Sequence, residues 1–455
     1  MRGLLALFLG VSAAVTLAGE TIHEYRLENG LKLIVKEDYR APVMVSQVWY
    51  KVGSSYEHDG ITGISHVLEH MMFKGTEAHP AGEFSHIIAE NGGSQNAFTS
   101  RDYTAYFQTM DNSRVPVSFE LEADRMRNLT LPEDEFRKEV QVVMEERRMR
   151  TEDNPQSLAY EQFNATAYIN SSYRTPVIGW MDDLERLRVD DLRAWYRKWY
   201  APNNATLVVV GDVDPDEVHA LAKQFFGPLE PSDIAPVKPG REVPQRGPKR
   251  IEVKAPAELP YLIMGYKAPV VLSLDSEDLW EPYALDVLAG ILDGGASARL
   301  SRELVRGQAV AASAGAAYDA YDRMKSLLLL SGTPANGHSL EELEAALRQQ
   351  VERLREEPVE TEELERVKAQ IRAARVYEQD SIFYQAMQIG MLETVGLSWK
   401  ELERYHDRIV AVTAQQVQSV ARKYLVDDQL TVAELVPQPI DPERPQKSGA
   451  VAYVR

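Results

Sequence analysis

The chain contains no cysteine. That absence removes disulfides, a thiolate nucleophile and any thiolate-held metal, so an ion bound here has to be held by histidine and carboxylate. An excess of positive charge is missing too. Fifty Lys and Arg stand against 69 Asp and Glu, a formal net charge of -19, and no basic block offsets it. Nucleic acid is therefore not expected as a partner, and the acidic balance leans toward basic or neutral ligands. The Gly294-Gly295 pair is followed by no Gly-Lys-Ser/Thr, so it reads as a sharp turn and not a phosphate loop. Beyond the first residues there is no apolar run long enough to span a bilayer.

The opening run, MRGLLALFLGVSAAVTLAG, has one positive charge, a short apolar stretch and a small-residue end. It reads as a secretory signal over 1–18, with Thr16 and Ala18 at the -3 and -1 positions of cleavage. The expected location is outside the cytoplasm, and the periplasm in a two-membrane bacterium. With 455 residues and 44% hydrophobic composition, the chain can bury more than one core.

In chain order, residues 22–36 alternate about an Asn29-Gly30 turn and predict a hairpin. A strand follows at 43–52, a helix at 63–74, and another at 80–91. Residues 94–100 and 102–109 predict two strands joined by a turn; helices are expected at 115–128, 133–150, 190–200 and 215–225, with an apolar strand at 205–210. Proline and charge without period mark 228–250 as a linker. Strands near 261–267, 309–318, 325–331 and 429–435 then alternate with helices at 277–292, 296–305, 339–355, 361–392 and 414–423. The order repeats, so the expected architecture is α+β, two similar domains at 19–229 and 251–440 around a 230–250 linker, with a tail at 441–455.

The chemistry concentrates in His66-Val67-Leu68-Glu69-His70. On a helix, residues four apart share a face, so both imidazoles can grip one divalent ion, zinc by preference. Glu69 projects near that face, where a carboxylate can serve an activated water as base. A catalytic zinc needs a third protein ligand, and the 133–150 helix offers Glu139, Glu145 and Glu146. Spacing alone does not choose among them. His79 and His86 read as ordinary surface or capping residues. The matching place in the second half, LDVLAGILDG at 285–294, has no histidine.

Several segments together resemble the M16 peptidase family, the inverted zincins that include insulinase, pitrilysin and the mitochondrial processing peptidase. They are GISHVLEHMMFKGT (63–76), GGSQNAFTSRDYTAYF (92–107), YRTPVIGW (173–180) and YAPNNATLVVVGDV (200–213). The family pattern sets its glutamate ligand 76 residues after the second histidine, which here is Glu146. The resemblance implies one Zn²⁺ held by His66, His70 and Glu146, Glu69 as catalytic base and Glu139 as the supporting acid. It implies two mainly antiparallel α+β domains and peptide hydrolysis inside a closed chamber. It also casts SQNAFT (94–99) as the substrate-binding strand, with Asn96 and Ala97 meeting the substrate backbone and Phe98 either a pocket wall or core.

One part of the family pattern is absent. Members carry an arginine and a tyrosine seven residues apart in the second half, the tyrosine for the oxyanion and the arginine for the substrate backbone. Here those positions fall on Leu304 and Ala311, while Arg302, Arg306, Tyr318 and Tyr321 are out of register. The expectation is division of labour: a homologous partner chain supplies the pair in a heterodimer, a homodimer keeping the chamber but lacking the donor. The alternative function is a non-catalytic scaffold subunit of this fold, which typically loses the zinc residues; a third is processing of one specific protein.

Overall fold

A computed structural model of the chain describes residues 22–440; the signal segment and the 441–455 tail lie outside the described residues. Two sheets carry the architecture. The first contains β1 (Ile22–Arg26), β2 (Lys32–Glu37), β3 (Val43–Tyr50), β4 (Ser94–Thr99), β5 (Thr104–Asp111) and β6 (Ala205–Gly211), in the order β1-β2-β6-β3-β5-β4. The second contains β7 (Lys249–Pro256), β8 (Tyr261–Ala268), β9 (Ala311–Ala317), β10 (Ser326–Pro334) and β11 (Leu430–Gln438), in the order β7-β11-β8-β10-β9. In each, one parallel pair (β2 with β6, β7 with β11) sits in an otherwise antiparallel sheet. Removing β1 makes the two orders identical, so the repeated element order of the sequence is a repeated fold.

The apolar runs of β3 and β6 are buried along nearly their whole length because both faces of the first sheet are covered. On one face Leu33, Val48, Tyr50, Leu207 and Val209 pack with Val67, Leu68 and Met71 of the helix Ile64–Met71, which bears the HxxEH motif. On the other, Ile34, Val45, Trp49, Val208 and Val210 meet Ala386, Ile389 and Trp399 from the second half of the chain. The residues alternate strictly between these two clusters, as the period of a strand demands.

That second cover was not legible. Residues 361–392 read as one helix; the structure has two, Thr361–Glu378 and Ile382–Val395. The break at Gln379-Asp380 contains neither glycine nor proline, and Ser381 caps the second helix by accepting from the Tyr384 amide. Breaking there frees Ile382–Val395 to lie on the first sheet, with Gly390 against the Trp49 indole. Further elements escaped the sequence reading, among them the helices Met181–Arg186 and Glu401–Ala411. Strand β7 begins at Lys249, inside the stretch taken as linker, and a helix spans Pro155–Ala167.

The halves are also latched beside the edge strand β4. Arg323 of the second half donates to Asp102 Oδ1 (2.9 Å) and to Ser55 Oγ (2.6 Å). Its guanidinium lies 4.1 Å from the Tyr56 ring centroid. Asp102 also accepts from Ser55 Oγ at 2.6 Å and from the Tyr173 hydroxyl. Among the described residues no helix is long and apolar enough to cross a membrane.

Candidate metal centre

The motif helix is fixed at its start by a buried carboxylate. Glu57 accepts from the Gly63 amide at 2.7 Å and from the Ser65 amide at 2.9 Å, meeting two of the donors a helix N-terminus leaves open. Burial pushes the Glu57 carboxyl up to about 7, against the pull of those two amides. Gly63 has φ +87°, and a Cβ there would lie 2.6 Å from the Ile178 carbonyl oxygen, so only glycine fits.

One turn later the His66 and His70 rings stand 4.9 Å apart, centroid to centroid. Glu146 reaches them from the helix Glu133–Arg147, its Oε2 lying 3.7 Å from His66 Nε2 and 3.5 Å from His70 Nε2. All three ligand atoms lie within 4.8 Å of one another. Tetrahedral zinc with bonds of about 2.0–2.2 Å needs its ligands roughly 3.3 Å apart, so a small inward adjustment suits the donor set to one Zn²⁺. Burial raises the Glu146 carboxyl, but the His70 hydrogen bond and the charges of His66, Arg150 and His70 outweigh it and bring it down to about 2. It is therefore a ready anionic ligand at neutral pH. Glu145, equally open on spacing, is exposed and pairs with Arg148 at 2.5 Å instead.

Glu139 stands behind His70. Its Oε2 accepts from His70 Nδ1 at 3.1 Å and its Oε1 pairs with Lys74 Nζ at 2.6 Å. Burial raises the Glu139 carboxyl, and those two partners more than reverse it. Holding the proton on Nδ1 leaves Nε2 as the lone-pair donor toward the ion. Glu139→Gln is expected to weaken zinc affinity about 10- to 100-fold, because whichever way the amide turns it presents its NH₂ to His70 or to Lys74. Competition with a zinc-binding dye measures this; unchanged affinity would remove Glu139 from the role.

Glu69 is buried and takes no part in the three-ligand cluster; its Oε2 accepts from Thr99 Oγ1 at 2.6 Å. Thr99 ends β4, which among the described residues pairs only with β5 and leaves its other edge open. Asn96, Ala97, Phe98 and Thr99 all line a cavity of about 990 Å³ that His66, Glu69, His70 and Glu146 also line. At the open edge the Ala97 amide donates to Asn96 Oδ1 at 2.9 Å. Phe98 is both wall and core, since its ring also meets the Trp49 ring edge-on at 5.4 Å. The far wall comes from the second sheet, including Ile263, Gly315, Ala316 and Ser331.

The remaining sequence candidates lie elsewhere. His86 is exposed and pairs with Glu90 at 3.0 Å, and His79 sits in the turn before that helix. Leu304 and Ala311 are buried core. Tyr318 donates to the Pro269 carbonyl, Tyr321 is buried, and Arg302 pairs with Glu303; none of these lines the cavity. The sequence reading missed Thr99, although the alternation of 94–99 placed it on the same strand. It also missed the wall formed by the helix Pro155–Ala167, whose Asn154-Pro155 start is an N-cap signal. That helix is held to the glutamate helix by the buried bidentate pair of Arg147 with Glu161, at 2.7 and 2.9 Å.

Comparison with known proteins gives a consistent result. A family model described as "Insulinase (Peptidase family M16)" matches residues 32–179, and one described as "Peptidase M16 inactive domain" matches 186–371. The zinc protease PqqE of Helicobacter pylori is 38% identical over 292 residues, which span 63% of this chain and 64% of that protein. The uncharacterized zinc protease YmxG of Bacillus subtilis is 28% identical across 90% of this chain and 96% of its own. A crystal structure of a protease from Helicobacter pylori superposes with a TM-score of 0.87 at 31% identity, covering 92% of this chain and all of that one.

Proposed function

Because this chain belongs to the M16 family of zinc metallopeptidases, we propose that it is an exported endopeptidase for peptides and unfolded segments, working in a closed chamber with a homologous partner chain. The observation that carries the reading is the convergence in one cavity of the three-ligand cluster, Glu69 and an open strand edge. His66, His70 and Glu146 hold the ion. When bound, zinc supplies Lewis-acid chemistry, acidifying a water and polarising the scissile carbonyl. Glu69, oriented by the Thr99 hydroxyl, takes the proton of the attacking water and passes it to the leaving amine. The free edge of β4 pairs with an extended substrate main chain, Asn96 and Ala97 offering the contacts. Glu139 acts through His70.

The partner enters because no tyrosine or arginine stands where the family keeps its oxyanion pair. A homologous chain carrying that pair is expected to raise turnover of a fluorogenic peptide by about 10²–10³-fold, the worth of one oxyanion donor. Assay of the purified zinc-loaded chain with and without its genomic neighbour's product reads this directly. Full speed from the chain alone would end the division of labour while leaving the peptidase assignment intact. A scaffold subunit has no need of the four motif residues, all of which are present.

A further inference from the structure

Three arginines line the cavity, and two of them are neutralised: Arg150 by Glu146 at 2.6 Å and Arg174 by Asp59 at 3.1 Å. Arg101 is the third. The carboxylate next to it in sequence, Asp102, is taken by Arg323 from the second half, by Ser55 and by Tyr173. Among the described residues no carboxylate pairs with the Arg101 guanidinium, and Asp322 acts on it only at longer range. Its plane is backed by the Tyr173 ring, 4.9 Å from the guanidinium carbon, and Tyr160 lines the cavity nearby. The backbone beneath is rigid. The Ser55 amide donates to the Arg101 carbonyl at 2.7 Å, and a Cβ on Gly53 would collide with that same oxygen at 2.7 Å. A half-buried cation with a fixed plane and uncommitted donors is costly unless something else brings the acceptor.

The acceptor would come with the substrate. Arg101 follows Thr99 by two residues, so their Cα atoms lie at most about 7 Å apart, Thr99 holds Glu69, and all three residues line the same cavity. We propose that Arg101 is a specificity residue that binds a peptide carboxylate, from an acidic side chain or a chain terminus, one or two residues from the bond that is cut. The charge of the cavity at this point thus opposes the leaning toward basic peptides that overall composition suggests.

The inference rests on the peptidase reading, and its test separates the two. Fluorescence-quenched peptides are made in matched pairs, with Glu or Gln at each position flanking the cut and with a free or amidated C-terminus. The zinc-loaded full chain, with its partner chain present, is expected to show kcat/KM about 10- to 100-fold higher for the acidic member of one pair. Which pair responds tells a side chain from a terminus. In Arg101→Gln the two members are expected to converge, and Arg101→Lys to retain part of the difference. Anisotropy of the same peptides, dye-labelled, on the Glu69→Gln chain reads the preference without turnover; a chain that prefers acid but cuts nothing refutes the peptidase reading alone. Equal handling of every pair by the unaltered chain overturns the assignment, as does an Arg101→Gln loss equal for acidic and neutral members.

Discussion

Glu69→Gln is expected to keep one zinc per chain and to lower peptide turnover by about 10²–10⁴-fold, the worth of a missing general base. The three ligand atoms come from His66, His70 and Glu146, so the ion loses nothing when Glu69 becomes an amide. Gln has nearly the same volume, which matters at a site only 5% exposed, and its oxygen can still accept from Thr99 Oγ1. What it cannot do is accept a proton. Elemental analysis and a quenched-peptide assay on the same preparation decide the matter. Unimpaired cleavage would remove Glu69 from the chemistry, and loss of zinc would place it among the ligands.

Gly390→Ala is expected to cost about 3 kcal/mol of stability, the upper end for overpacking a tight interior. A Cβ at this position would lie 2.1 Å from both Cε2 and Nε1 of Trp49. The indole has nowhere to retreat: it is fully buried and its Nε1 donates to Gln47 at 2.9 Å. The helix Ile382–Val395 must then lift from the sheet and take Ala386 and Ile389 out of contact, full exposure of the Ile389 side chain alone losing about 1.5–3 kcal/mol. The shift of the denaturant midpoint measures it. Zinc affinity is a useful companion reading, because the motif helix packs on the opposite face of the same sheet and is expected to hold its ion unchanged. A midpoint like that of the parent chain would mean the helix does not seat there.

Much of the site was legible because it is written locally. His66, Glu69 and His70 lie within one and a half turns of a helix, and period alone gathers them. The edge strand declared itself by alternation, and the duplicated fold by repeated element order. Glu146 needed more than spacing, since Glu139, Glu145 and Glu146 share one acidic helix; the family pattern singled it out, and the fold sets it against both rings. What stayed hidden depends on distant partners. Arg101 drew no attention in the sequence, because what engages its neighbour Asp102 includes Arg323, 221 residues farther along the chain. The break at 379–381 carries no breaker residue, and the helix after it packs on a sheet built from the other half of the chain, a contact that no local pattern announces.

The crossing of Ile382–Val395 onto the first sheet has a consequence for how this molecule can be taken apart. A polypeptide stopped at residue 229 would contain every zinc ligand and yet present the bare backs of β3 and β6 to water. Conversely, a single nick anywhere in the 230–248 connector would leave both pieces clasped, since the bond that joins the halves in sequence is not the one that holds them in space.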